Sequence, residues 1–276
     1  MSNLLTVRNL KVWDDRDQEI IVRDVSFSVP EHSCLAIVGE SGSGKSMTVK
    51  AISSIHKAWI RCSGEVLFKD QDILLTKERE MTGPRGKSIF MIFQDGMSAF
   101  DPSGTIGATM REILCANLPL SPKQAEEAAV TAMKKVLLRE PEELLRKYPH
   151  QLSGGMLQRI MIALALALEP SLIIADEPTT ALDTITQYEV IEEFIRLRRE
   201  TGTAMIFISH DLGIVRKIAD YVVVMKDGQF VEEGPAEEIF CHPREEYTRF
   251  LVGTRRLLGE NYRRLLYGQA NAEGGL

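Results

Sequence analysis

The chain has 276 residues, 44% of them apolar and 26% charged, with a formal net charge of −6. This is ordinary globular composition with enough length to bury a full core, and the acidic balance excludes direct binding to duplex nucleic acid, which calls for a basic excess. Cys34, Cys62, Cys115 and Cys241 lack CxxC spacing, so neither a zinc site nor a disulfide framework is expected, and a reducing cytoplasm fits.

MSNLLTVRNLKV at the N-terminus lacks the charged-then-apolar order of a signal peptide. Leu4 to Val7, and Val25, Phe27 and Val29 at period two, read as strands. CLAIV (34–38) is a continuous apolar run, the pattern of a buried central strand, and GESGSGKS then leads into a helix reaching about His56. EVLF (65–68) and IFMIF (89–93) are strand-like. From about Thr105 to Pro149 the texture becomes helical, with Ser121 and Glu140 each preceding a proline at a predicted first helical position. Strand and helix then alternate: LIIAD (172–176), a helix from about Ile185 to Glu200, AMIFIS (204–209), a short helix, YVVVM (221–225) and QFVEEG. Such alternation predicts an α/β fold, a parallel sheet covered on both faces. The longest apolar run, Ile160 to Leu168, is far short of the roughly 20 residues that span a bilayer. The tail after Pro243 reads as a helix with an apolar side and an arginine-rich side, which suits a docked or surface helix.

The chemistry concentrates at strand ends. GESGSGKS (39–46) fits GxxxxGK[ST] between a buried strand and a helix, the context that makes it a phosphate loop. Gly39, Gly42 and Gly44 let the loop, which also holds Glu40, Ser41 and Ser43, turn successive backbone N–H groups inward at the β-phosphate; Lys45 would reach the β- and γ-phosphates, and Ser46 would ligate Mg²⁺. LIIADEP ends its strand in Asp176, placed to hold Mg²⁺ through a water, with Glu177 next to it to orient and polarise the attacking water. Two adjacent acids on so apolar a strand need a cation or a proton. Gln94 closes IFMIF and can reach the metal or the water. His210 closes AMIFIS and can donate to the γ-phosphate, although a strand-end histidine is more often structural. Ser153, Gly154 and Gly155 open a second helix and offer backbone donors with a positive helix end. They follow a helical insertion that would carry them away from their own loop, so they are expected to meet ATP held by a second copy or a sister chain.

Taken together, GESGSGKS, Gln94, LSGGMLQR (152–159), LIIADEP, the ALD at 181–183 and the His210 of ISHD resemble the ATP-binding cassette (ABC) ATPases. The resemblance implies a P-loop NTPase fold of the ABC type: a parallel RecA-like core with an N-terminal antiparallel β subdomain and an inserted helical subdomain at about 97–168. Residues 4–250 would be the ATPase domain and 251–276 a C-terminal helical tail. It implies ATP and Mg²⁺ as cofactors, with Ser46, Gln94 and Asp176 on the metal, Glu177 as catalytic base and His210 as switch. Ser153, Gly154, Gly155 and Gln158 become the signature that acts in trans, and Asp183 links the two sites across the interface. An aromatic near the end of the first strand stacks on adenine in this family; Trp13 is the candidate, although VWDD departs from the usual pattern, and packing at the sheet edge is the alternative.

FQDGMSAFDP (93–102), YPHQLSGGMLQR, IADEPTTALD and a late HP…YTRFL look like the peptide/nickel branch of importer ATPases. The branch implies a peripheral subunit on the cytoplasmic face of the membrane. Its partners would be a sister ATPase, two permeases and an extracytoplasmic substrate-binding protein. Gly96 stands where a proline is common, which would loosen the loop that meets the permease, and Arg244, Glu245 and Glu246 interrupt the usual HPYT run. Peptide importers of the branch often carry a C-terminal cysteine cluster for an iron–sulfur centre. Cys241 alone cannot form one. With Met156-Leu157 in the signature, this favours the nickel-type members, with dipeptide or oligopeptide import as the alternative. A non-transport ABC ATPase, or a non-hydrolytic structural subunit, is a remoter reading that the retention of Glu177 and His210 in a single cassette opposes.

Overall fold

The computed structural model describes residues 3–74 and 88–253. The chain opens with antiparallel strands β1 (Asn3–Asp14) and β2 (Ile20–Pro30), then β3 (Cys34–Val38), α1 (Lys45–Ile52), β4 (Ile60–Phe68) and the short β5 (Gln71–Asp72). After β6 (Ile89–Ile92) come the helices α2 (Ile106–Asn117), α3 (Pro122–Lys135), α4 (Pro141–Leu144) and α5 (Gly154–Leu168). The alternating part follows as β7 (Leu172–Asp176), α6 (Thr184–Thr201), β8 (Ala204–Ile208), α7 (Leu212–Ile218), β9 (Tyr221–Lys226), β10 (Gln229–Pro235) and α8 (Ala236–Cys241). Residues 246–253 are helical; the rest of the expected tail, 254–276, lies outside the described residues.

Among the described residues the strands form two sheets, an antiparallel one in the order β2-β1-β4-β5 and a six-stranded one in the order β10-β9-β3-β8-β7-β6. Within the second sheet, β3, β6, β7, β8 and β9 run parallel and only β10 is antiparallel. Every residue of β3, β7 and β8 is buried, which is why these strands read as unbroken apolar runs. One apolar cluster joins β1, β2 and α1 to a face of the parallel sheet. Another joins α2, α3, α5 and α6 to the opposite face, with Met110, Leu114 and Met133 fully buried in it. Because α5 is apolar nearly all round, the helical part shares a core with the sheet.

Local capping follows the sequence with one correction. Ser121 forms a capping box with Gln124 at the start of α3. Glu140, also before a proline, gives no side-chain cap: its backbone is left-handed (φ 51°), and this turns the carboxylate out of reach of the first N–H groups.

Candidate active site

The parallel strands bring the catalytic candidates together at their C-terminal ends. After β3 the chain turns through Gly39, Gly42 and Gly44 into α1; Gly42 and Gly44 have φ of 82° and 104°, a left-handed region open to glycine at little cost. A Cβ on Gly39 would collide with the Met225 carbonyl of β9, so close approach of two backbones also requires glycine there. The Lys45 ammonium lies within the loop, donating to Gly39 O at 2.9 Å, Glu40 O at 2.6 Å and Ser43 Oγ at 3.3 Å. Burial pushes its pKa down, and the charges of Glu177, Asp176 and Glu40 oppose that shift. These carbonyls hold a cation that is placed to exchange them for phosphate oxygens.

Asp176 ends β7 at 1% exposure and accepts a hydrogen bond from Ser46 Oγ at 2.8 Å. Burial pushes its carboxyl up, against that hydrogen bond and the nearby lysines. Glu177 follows in a left-handed conformation (φ 47°), a strained setting for a side chain, and its N–H donates to Ile208 O at 3.0 Å. The turn lifts its carboxylate out of the strand. Three groups then converge on Glu177 Oε2: Gln94 Nε2 at 3.2 Å, Thr180 Oγ1 at 3.1 Å and His210 Nδ1 at 3.3 Å. Thr180, which the sequence reading missed, steadies this carboxylate; a hydroxyl four positions past Asp176 was its only signal. A hydroxyl and a carboxylate side by side are hard oxygen ligands of the kind Mg²⁺ takes. Among the described residues no group of three or more His, Cys, Asp or Glu could hold a metal ion. That sparse set suits an ion that completes its shell with phosphates and water.

The signature stands elsewhere on the surface. Ser153 caps α5 by accepting from Met156 N at 3.3 Å, and Ser153 and Gly154 are exposed. A Cβ on Gly154 would meet nothing within 4 Å, whereas one on Gly155 would come within 2.8 Å of Ala181 O. Gln158 departs from the expected trans role. It is fully buried, donates to Glu177 O at 3.1 Å and accepts from Ala181 N at 3.2 Å, so both ends of its amide are used within its own chain. Asp183 is exposed and caps α6 through Thr186 N at 3.1 Å; that bond holds its carboxyl below the usual range.

Two further expectations resolve in the packing. Gly96 does not loosen its loop: it is buried, and a Cβ there would sit 3.0 Å from Gln158 N, so the segment after Gln94 rests directly on α5. Trp13 is half-buried, follows the core residue Val12 and pairs across the sheet with Ile20 and Arg61.

A glycine loop cradling a lysine between a buried strand and a helix, with adjacent acids closing the neighbouring strand, defines a P-loop nucleoside triphosphatase. Residues 22–180 match the ABC transporter family model, and the chain belongs to that family as an ATP-binding, ABC-type ATPase. It is 44% identical over 268 residues to the metal-staphylopine import system ATP-binding protein CntD of Staphylococcus aureus, covering 97% of this chain and 99% of that one. It is 42% identical over 258 residues to the dipeptide transport ATP-binding protein DppD of Bacillus subtilis, covering 92% of this chain and 77% of the relative. Among solved structures, the ATP-binding cassette MJ0796 in a dimeric post-hydrolysis state bound to ADP and Pi is 28% identical with a TM-score of 0.76, covering 84% of this chain and 98% of that one.

Proposed function

We propose that this chain is the ATP-hydrolysing subunit of an importer that takes up a metal or metal chelate through separate permeases. The observation that carries the reading is end-to-end similarity to an ATP-binding protein of a metal-staphylopine import system. Residues 4–250 act as the ATPase domain, with the helical part at about 97–168 between its strands. In the site, Lys45 would turn from its loop carbonyls to the β- and γ-phosphates, while Ser46, Gln94 and Asp176 would hold Mg²⁺. The ion supplies charge neutralisation on the phosphates. Glu177 orients the attacking water and accepts its proton, His210 contacts the γ-phosphate, and Trp13 offers adenine an aromatic face. Ser153, Gly154 and Gly155 complete the site of a sister ATPase, with Asp183 at the interface between the two.

Among the described residues no helix is long and apolar enough to cross a membrane, which suits a peripheral subunit on the cytoplasmic face. A groove of about 740 Å³ between α1 and the segment after Gln94, lined in part by Ile55, Trp59, Phe93 and Ser98, is a fitting seat for a permease element. An extracytoplasmic binding protein would deliver the cargo, and nucleic acid has no part in the cycle.

The test is uptake. Cells lacking this chain should lose accumulation of radiolabelled nickel or its chelates and regain it with the wild-type chain but not with Lys45→Ala. Lost dipeptide uptake with metal uptake intact would overturn the cargo and favour the peptide reading, to which DppD-like similarity lends support.

A further inference from the structure

The C-terminal helix at residues 246–253 reaches the phosphate loop, 207 positions away in sequence. The Glu40 N–H donates to the Tyr247 hydroxyl at 3.0 Å. That N–H belongs to the same peptide unit as the Gly39 carbonyl, which accepts from Lys45 Nζ at 2.9 Å. One amide plane therefore has Tyr247 on its outer side and the phosphate-seeking lysine on its inner side.

The helix that carries Tyr247 is itself pinned. Glu232 of β10 accepts from Arg244 N at 2.7 Å and Glu245 N at 3.1 Å, which fixes the helix start, and Tyr247 and Leu251 pack on the cluster that contains Val38 and Val224. The Tyr247 ring lies 5.0 Å from Lys226 Nζ at the end of β9. From the other side the β9–β10 turn clasps the loop, Gly228 N donating to Ser43 O at 3.0 Å. Burial holds the Tyr247 phenol above its ordinary pKa, so the hydroxyl is neutral at physiological pH.

We infer that Tyr247 is a positioning residue for ATP binding: its hydroxyl fixes the Gly39–Glu40 peptide, and hence the entry of the phosphate loop, in the orientation that receives the nucleotide. A loop held in its bound shape loses less freedom on binding, so the brace appears in affinity rather than in chemistry. The inference needs only that the chain binds ATP and is indifferent to cargo.

Tyr247→Phe keeps the ring and removes the acceptor. In titrations of the full chain with MgATP, the dissociation constant should rise about three- to tenfold, the range of one net hydrogen bond. The melting temperature should fall by no more than a few degrees, and kcat at saturating ATP should stay within about twofold. Glu40→Pro removes the donor itself, because proline has no N–H; in that background Tyr247→Phe should have no further effect. A Tyr247→Phe chain with wild-type affinity, or one that still weakens binding beside Glu40→Pro, would overturn the inference. Failure of the wild-type chain to bind MgATP would count against ATP binding by this cassette instead.

Discussion

The phosphate loop and the signature turn are both glycine-bearing stretches that open a helix, yet the partners that hold them differ. The loop is open at Gly42 but gripped on both sides of it: Met225 presses under Gly39, Gly228 holds Ser43, Tyr247 holds Glu40, and Lys45 is satisfied by three acceptors of its own segment. The signature turn rests on Ala181 at Gly155 but is open at Gly154, where an added Cβ would meet nothing beyond its own helix within 4 Å. A small residue under compression is there for the fold. One in open space, with helix N–H groups beside it, leaves room for something that arrives from outside. On the proposed reading, the contrast makes the chain a half-site at one end and a complete cradle at the other.

The sharpest way to break this contrast is Glu177→Gln, which keeps the hydrogen-bonding shape around Oε2 but removes the base. Steady-state ATPase should fall about 10²–10⁴-fold with MgATP binding retained, and ATP should then hold the paired subunits together, as read by size exclusion. Normal turnover would displace Glu177 from its role. Next comes Gly154→Asp, an acid at a helix start that costs the fold nothing. MgATP binding and melting temperature of the isolated chain should be unchanged, while turnover of the assembled pair drops about 10²-fold, the order expected when a γ-phosphate donor site is blocked. If turnover survives, the signature is not the missing half of a neighbouring site.

Gln158→Leu probes the boundary between the two regions. It removes two part-buried hydrogen bonds, leaving the Glu177 carbonyl only its Thr180 donor and the Ala181 N–H without its acceptor, so unfolding free energy should fall by about 1 kcal/mol in denaturant melts. The smallest effect belongs to the cradle. Burial raises the Asp176 carboxyl, so the folded chain binds a proton there more tightly than the unfolded chain does, and nucleotide-free stability declines as pH rises from the ordinary value of 3.8 through the raised one. Asp176→Asn should flatten that slope in thermal melts and raise the melting temperature by a few degrees at neutral pH. A destabilised variant would mean that the charge is already compensated in the nucleotide-free chain.

Most of the cradle was legible because its chemistry is local: a glycine pattern between an apolar strand and a helix, and an acidic pair closing another strand, each fit within eight residues. The convergence of Gln94, Thr180 and His210 on one carboxylate oxygen was only half legible, since the two strand-end residues advertise themselves and a threonine in a turn does not. Gln158 and Gly96 misled for a common reason. A motif records that a residue matters, not whether it faces outward or inward, and both are pressed into the contact between α5 and its neighbours. The Tyr247 contact was out of reach, because nothing local ties a C-terminal helix to a loop formed by the first parallel strand.

The Gln158 amide spans the two ends of the turn that follows the acidic pair, clasping Glu177 on one side and Ala181 on the other. On the proposed reading, the helix that would meet a neighbour's nucleotide is thereby geared to the acid that would serve its own. Any rocking of that helix drags or frees the base beneath it, so each engine of a two-chain machine would learn from its own frame whether the opposite chamber is loaded. A mechanical interlock of this kind needs no messenger beyond a single side chain sealed in the wall between them.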